Sequence, residues 1–260
     1  MEEKSANQNG EPSGEVAQGP TEAARAEQGT IILVAHNNLH LTKKAVASAL
    51  AQDIPCDVIV VNNASTDGTA DWLRTRDIMS YSPVHQLSLA ACWNHALKLT
   101  WGVLGRKDAL VINNDAEIRK DCYRLLQLWS SRTEFVTCVS VDTPERAFHP
   151  ALNWSYHCRP HPDFSCFLIT KKCWDTVGPF DEAYYPAYCE DSDYHVRMHR
   201  AGINAECVDL PFLHHGASTI KNSDPAEKVL IQRGADMNRL RFRAKYGCLP
   251  GTPEYSALFQ

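Results

Sequence analysis

The feature that most constrains this chain is an alternation between residues 30 and 129, in which each short apolar run is followed by a helical pattern. "TIILVAH" (30–36) is apolar and β-branched, as expected of a strand buried on both faces. "LTKKAVASALAQD" follows, with Leu41, Ala45, Val46, Ala49 and Leu50 at helical spacing. "DVIVVNN" reads as a second strand, and "STDGTADWLRTR" as a helix carrying Trp72 and Leu73, capped by Ser65, Thr66 or Asp67. "SLAACWNHALKLTWGVL" is helical through Leu89, Trp93, Ala96, Leu97 and Thr100, "DALVINND" is a third strand, and "CYRLLQLW" another helix. This rhythm predicts an α/β fold, a mostly parallel sheet flanked by helices. Ligands of such sheets bind beyond the carboxyl ends of the strands, where the polar ends "AHNN", "NNASTDG" and "NNDAE" all fall.

Composition sets the outer limits. The 260 residues are 44% hydrophobic and 22% charged, which fits a globular protein with a substantial core. A net charge of -5 argues against a dedicated electrostatic grip on nucleic acid, without excluding a local basic face. Residues 1–29 are rich in Glu, Gln, Gly, Ser and Pro and nearly lack large apolar groups, so disorder is expected there. That segment lacks the apolar centre of a signal peptide, and no later run is long and apolar enough to cross a bilayer. A cytoplasmic protein is the resulting expectation. The ten cysteines form no Cys-x-x-Cys pair, so free thiols acting as small hydrophobes are expected rather than structural zinc.

From about Val136 the rhythm weakens. "VDTPERAFHPALNWSYHCRPHPDF" reads as an irregular excursion that shapes a pocket, its Trp154 and Tyr156 offering faces on which sugars or bases stack. "SCFLITKKCWDTVGPFD" returns to strand and helix, "EDSDYHVRMHRAGI" starts another helix, and "AECVDLPFLHHGAST" is a strand ending in two histidines. The basic segment "EKVLIQRGADMNRLRFRAKYG" is a helix.

Five stretches in order, "TIILVAHNN", "VIVVNNASTDGT", "VINNDAEI", "GPFDEAYYPAYCEDSDYHVRMHRAG" and "FLHHGAST", resemble family-2 glycosyltransferases over 30–247. The resemblance implies a GT-A fold and inverting transfer of a sugar from a nucleotide-sugar donor, UDP-linked by preference. It divides the chain into a nucleotide-sugar-binding half (30–118), an acceptor and catalytic half (119–220), a helical segment (221–247) and a tail (248–260). The cofactor implied is Mn2+ or Mg2+, clamped on the leaving diphosphate. Asp115 is the best-placed ligand, though the Asp115-x-Glu117 spacing leaves the register open, and the usual first acid of the motif is Asn113 here. The resemblance implies one of His214 and His215 as a second ligand, and of the two His215 is taken first.

The donor pocket implied includes Ala35, Asn37, Asn62, Asn94, Asn113 and Asn114. Asn62 stands where the family usually has an Asp, and its carbonyl still accepts from a pyrimidine N3–H. The acceptor hydroxyl needs a base facing the sugar opposite the diphosphate. The resemblance gives that role to Asp191 and puts Glu190 beside it. Asp193, assigned to the acceptor region, also has helical spacing to Arg197. Acceptor classes left open are a saccharide, a lipid-linked glycan, a protein and a hydroxymethylated nucleobase. A module that binds nucleotide sugars without catalysis would explain the asparagines at 62 and 113. A nucleotidyltransferase is disfavoured because "AHNNLHLT" has no glycine with which to wrap a phosphate.

Overall fold

A computed structural model describes residues 28–149, 162–216 and 222–260. The chain runs through β1 (Gly29–Ala35), α1 (Leu39–Leu50), β2 (Cys56–Asn62), α2 (Thr69–Arg74), β3 (Met79–Tyr81), α3 (Leu89–Gly102), β4 (Asp108–Asn113), β5 (Ala116–Glu117) and α4 (Cys122–Trp129). It continues with β6 (Phe135–Val141), α5 (Pro144–Ala147), β7 (Cys166–Thr170), α6 (Lys171–Val177), α7 (Glu190–Arg200) and β8 (Ala205–His214). It ends in a long helix α8 (Pro225–Tyr246) and a short α9 (Pro253–Ser256).

These strands form one sheet in the order β3-β2-β1-β4-β7-β6-β8-β5. The half comprising β3, β2, β1 and β4 is parallel, as the alternation predicts. The second half is mixed, because β7 runs antiparallel to both β4 and β6, and β5 antiparallel to β8. A parallel neighbour requires a crossover that returns the chain to the opposite edge. β7 instead pairs antiparallel with β6, so it starts at the edge where β6 ends. That places the residues just before β7 beside the carboxyl ends of β1, β2 and β4.

Side chains alternate across the sheet and build a core on each face. Ile31, Leu33, Val58, Val60, Leu110 and Ile112 pack with Ala45 and Val46 of α1 and Leu126 and Trp129 of α4. Ile32, Ile59, Val61 and Val111 pack on the other face with Trp93 and Leu97 of α3 and Tyr194 and Met198 of α7. The nine cysteines among the described residues are free thiols, all but Cys56 buried. Cys122, Cys138 and Cys166 come from three elements and bring their sulfurs within 4.8 Å of one another.

Two expectations change here. Residues 248–260 are not a loose tail: Tyr255 is buried against α7, its hydroxyl 3.1 Å from His195 Nδ1. Asp193 is likewise no acceptor contact. It is fully buried and receives hydrogen bonds from Arg197 of its own helix and from Lys245 and Tyr246, the last two tying α7 to α8. Burial raises its carboxyl, but those three partners outweigh burial and hold it below the usual value.

Candidate active site

A cavity of about 700 Å³ opens at the sheet edge where β1, β2, β4 and β8 end. Its wall includes Val34 and His36 from the end of β1, Asn63 after β2, and Asn113, Asn114 and Asp115 after β4. Glu190 and Asp191 enter from the first turn of α7, and His214 from the last residue of β8. Asp115 and Asp191, 76 positions apart in the chain, therefore face one cavity.

The strand-end loops are bent to do this. Asn37 and Asn38 after β1 and Ala64 after β2 have φ of 57–59°, a left-handed conformation that Asn tolerates better than Ala. Tyr188 and Cys189 have φ of 80° and 74° directly before Glu190, a strained pair that aims the first turn of α7 at the cavity.

Asp115 is buried, and its Oδ1 lies 3.3 Å from His214 Nε2. Its carbonyl accepts from the backbone N–H of His215 at 3.0 Å. Side chains of successive strand residues leave opposite faces, so His214 and His215 cannot both reach Asp115. The β5–β8 register pairs Ala116 with His214. His215 instead lies 2.9 Å from Glu117, whose carboxylate also has Lys44 at 3.9 Å. The histidine beside Asp115 is thus His214 and not His215, and Glu117 pairs with His215.

Glu190 is only 4% exposed, and its Oε2 has no hydrogen-bond partner. Burial first, and then the neighbouring Asp191, push its carboxyl well above the ordinary range. Burial likewise raises Asp191, opposed by the Ser192 N–H that its Oδ1 accepts at 2.6 Å. With Asp115 and Asp163 the wall carries four carboxylates, and among the described residues no Lys or Arg. An anionic diphosphate enters such a cavity only with a cation. One carboxylate and one imidazole converge at Asp115 and His214, a donor set that suits Mn2+ better than Mg2+, which prefers oxygen ligands.

Several other residues expected at the donor pocket do not line the cavity. Ala35 is buried within β1, and the amides of Asn37 and Asn62 bond to the 65–66 loop and to Ser82, while their neighbours Val34, His36 and Asn63 form the wall. Asn94 is buried away from it, its amide bonded to both N–H and C=O of Phe180 and to Glu182. It braces the approach to α7. Asn113 and Asn114 do line the cavity, and Asn114 also donates to Asn37 O and Thr42 Oγ1. Trp154 and Tyr156 lie outside the described residues. Sequence reasoning missed His36, which lies 2.7 Å from Asn63 O and 2.7 Å from Glu227 of α8, and Asp163. Asp163 sits in the excursion, where no periodicity points to it; the strand-end position of His36 was the available signal.

A match to Glycosyl transferase family 2 covers residues 30–181, more than half of the chain. The chain belongs to Glycosyl transferase family 2. Within this family it is similar to the low-salt glycan biosynthesis hexosyltransferase Agl10 of Haloferax volcanii, at 23% identity over 181 residues, 61% of this chain. The alignment covers 59% of that relative's length. Its fold is that of a mannosyltransferase from Pyrobaculum calidifontis solved with GDP-Man and Mn2+, with a TM-score of 0.64 and 18% identity, over 94% of this chain and 70% of that one. S. aureus TarS in complex with UDP-GlcNAc aligns over 90% of this chain and 78% of that one, with a TM-score of 0.56 and 14% identity. This family-2 glycosyltransferase has, among its described residues, no helix long and apolar enough to cross a membrane.

Proposed function

We propose that this enzyme moves a sugar from a nucleoside diphosphate sugar to an acceptor hydroxyl with inversion, in a Mn2+-dependent reaction. The observation that carries the reading is that Asp115 with His214, and Asp191 separately, open into one cavity rich in carboxylates. A divalent ion held by Asp115 and His214 would neutralise charge on the departing diphosphate. Asp191 accepts the proton of the acceptor hydroxyl as its oxygen bonds to the anomeric carbon. The bond from that carbon to the diphosphate breaks, and the electron pair leaves with the diphosphate. The base must be ionised, so turnover falls as pH drops through the Asp191 pKa, which burial raises above the ordinary 3.8. Burial and the neighbouring Asp191 raise the Glu190 carboxyl well above the ordinary range, so it ionises less readily and competes poorly as base. UDP-sugars are the donors proposed first, with TarS and its UDP-GlcNAc in support and GDP-Man in the Pyrobaculum enzyme as the counter-case.

The test is donor hydrolysis and transfer across UDP, GDP and dTDP sugars, with Mn2+ and with chelator. Asp191→Asn should lower turnover about 10²–10⁴-fold and leave Mn2+-dependent nucleotide binding intact. Asp115→Ala should weaken nucleotide and Mn2+ binding together. Full turnover by the Asp191 variant would end the base assignment, and full activity in chelator would end the metal assignment.

A further inference from the structure

Helix α8 is apolar on two opposite sides. Its inner side buries Ala235, Asn238 and Phe242 against the body. Its outer side presents Val229, Leu230, Met237 and Leu240, each 50–65% exposed. At 3.6 residues per turn these four fall within a stripe about 100° wide, and with the exposed Ala226 and Ala244 it runs about 27 Å along the helix. The same helix holds six Lys and Arg against two acids, in a chain of net charge -5. Arg233 falls inside the stripe and Arg243 beside it, while Arg239 pairs with Asp236 and Arg241 donates to the Ala183 carbonyl of the body.

We propose that the outer side of α8 lies on a bilayer surface bearing anionic headgroups, with the apolar stripe entering the acyl boundary and Arg233 and Arg243 meeting lipid phosphate. A basic amphipathic helix with this division of apolar and cationic positions is built for that plane. A second copy fits worse, because a symmetric contact centred on the stripe would set Arg233 against its like-charged image, whereas on a bilayer its long side chain reaches back to headgroup phosphate. Nucleic acid fits worse too, because phosphate contacts leave no use for a continuous Val, Leu and Met stripe.

The helix also touches the candidate active site from its inner side. Ile231 lines the cavity, and the Asn238 amide donates to the carbonyls of Tyr185 and Ala187, at 3.1 and 2.8 Å. The docking face is the side of α8 turned away from these contacts.

The experiment is flotation of the full chain with vesicles of phosphatidylcholine alone and of phosphatidylcholine mixed with phosphatidylglycerol, at low and high salt. The expected result is binding to the mixed vesicles that salt weakens, and a drop of at least about tenfold in partitioning for Leu230→Gln/Met237→Gln/Leu240→Gln. Thermal melting and donor hydrolysis without vesicles, which do not depend on docking, should match the parent. Three outcomes overturn the proposal: no flotation with the mixed vesicles, unchanged partitioning of the triple variant, or a triple variant that loses only self-association or duplex DNA binding.

Discussion

Gly234 lies in the middle of α8, where alanine would ordinarily be favoured by about 1 kcal/mol. A Cβ there would meet Pro186 Cδ at 2.3 Å and Tyr185 O at 3.1 Å. Neither obstacle is the end of a flexible side chain: one is a proline ring and the other a backbone carbonyl. Relief to ordinary contact near 3.4 Å moves the helix or the loop by about 1 Å, and overpacking of this kind costs about 1–3 kcal/mol. Taking the upper end and subtracting the helix gain leaves Gly234→Ala about 2 kcal/mol less stable, a Tm loss of about 4–8 °C for a domain this size. The displaced loop, 186–188, lines the cavity immediately before Glu190 and Asp191, so kcat/KM should fall about 100-fold as well. Gly102 is the matched control. It is also helical, its added Cβ would touch nothing within 4 Å, and Gly102→Ala should hold or raise Tm with unchanged turnover. Melting curves and steady-state rates for the two variants decide the matter. A Gly234→Ala protein as stable and as active as Gly102→Ala would show that α8 does not clamp the loop.

The two histidines separate cleanly: His214→Ala should abolish Mn2+-dependent nucleotide binding, while His215→Ala, which loses only its Glu117 partner, should keep it within a few-fold, as calorimetric titration would show. Because the Glu190 carboxyl is raised from 4.5, its contribution to stability is complete below that value and declines as pH rises through the folded-state pKa. Glu190→Gln should therefore gain stability over the parent as pH rises above 4.5, and a gap that stays constant across Tm measurements would refute a raised Glu190 carboxyl. The depressed pKa of Asp193 has the opposite sign: its stabilisation is present above 3.8 and lost on acidification. Asp193→Asn should cost about 3 kcal/mol in urea unfolding at pH 7, at the low end for a broken buried pair because Lys245 swings readily into solvent.

Much of the frame was legible in local pattern. The first three buried strands and their helices are written as apolar runs and helical spacings, and those signals survive because each element buries a face whatever its neighbours are. The polar strand ends marked the right edge of the sheet for the same reason, since parallel strands place all their carboxyl ends together. Legibility stopped where a side chain's direction depends on a distant partner. Asn94 has the sequence surroundings of a site residue, yet it caps the Phe180 backbone 86 positions away. The thiol group of Cys122, Cys138 and Cys166 is invisible to any search for close spacing, because an α-helix and two strands assemble it.

Residue order alone was enough to establish the α/β alternation and the membership in a sugar-transferring family, and it named Asp115 and Asp191, which the fold brings to one cavity. Three-dimensional packing chose among equivalents: β7 antiparallel, His214 over His215, Asp193 as a brace rather than a contact, and α8 as one wall of the cavity. The physical reason is that strand and helix periods report which residues share a face. Which object each face meets depends on register and on contacts spanning dozens of residues, and no local window contains them.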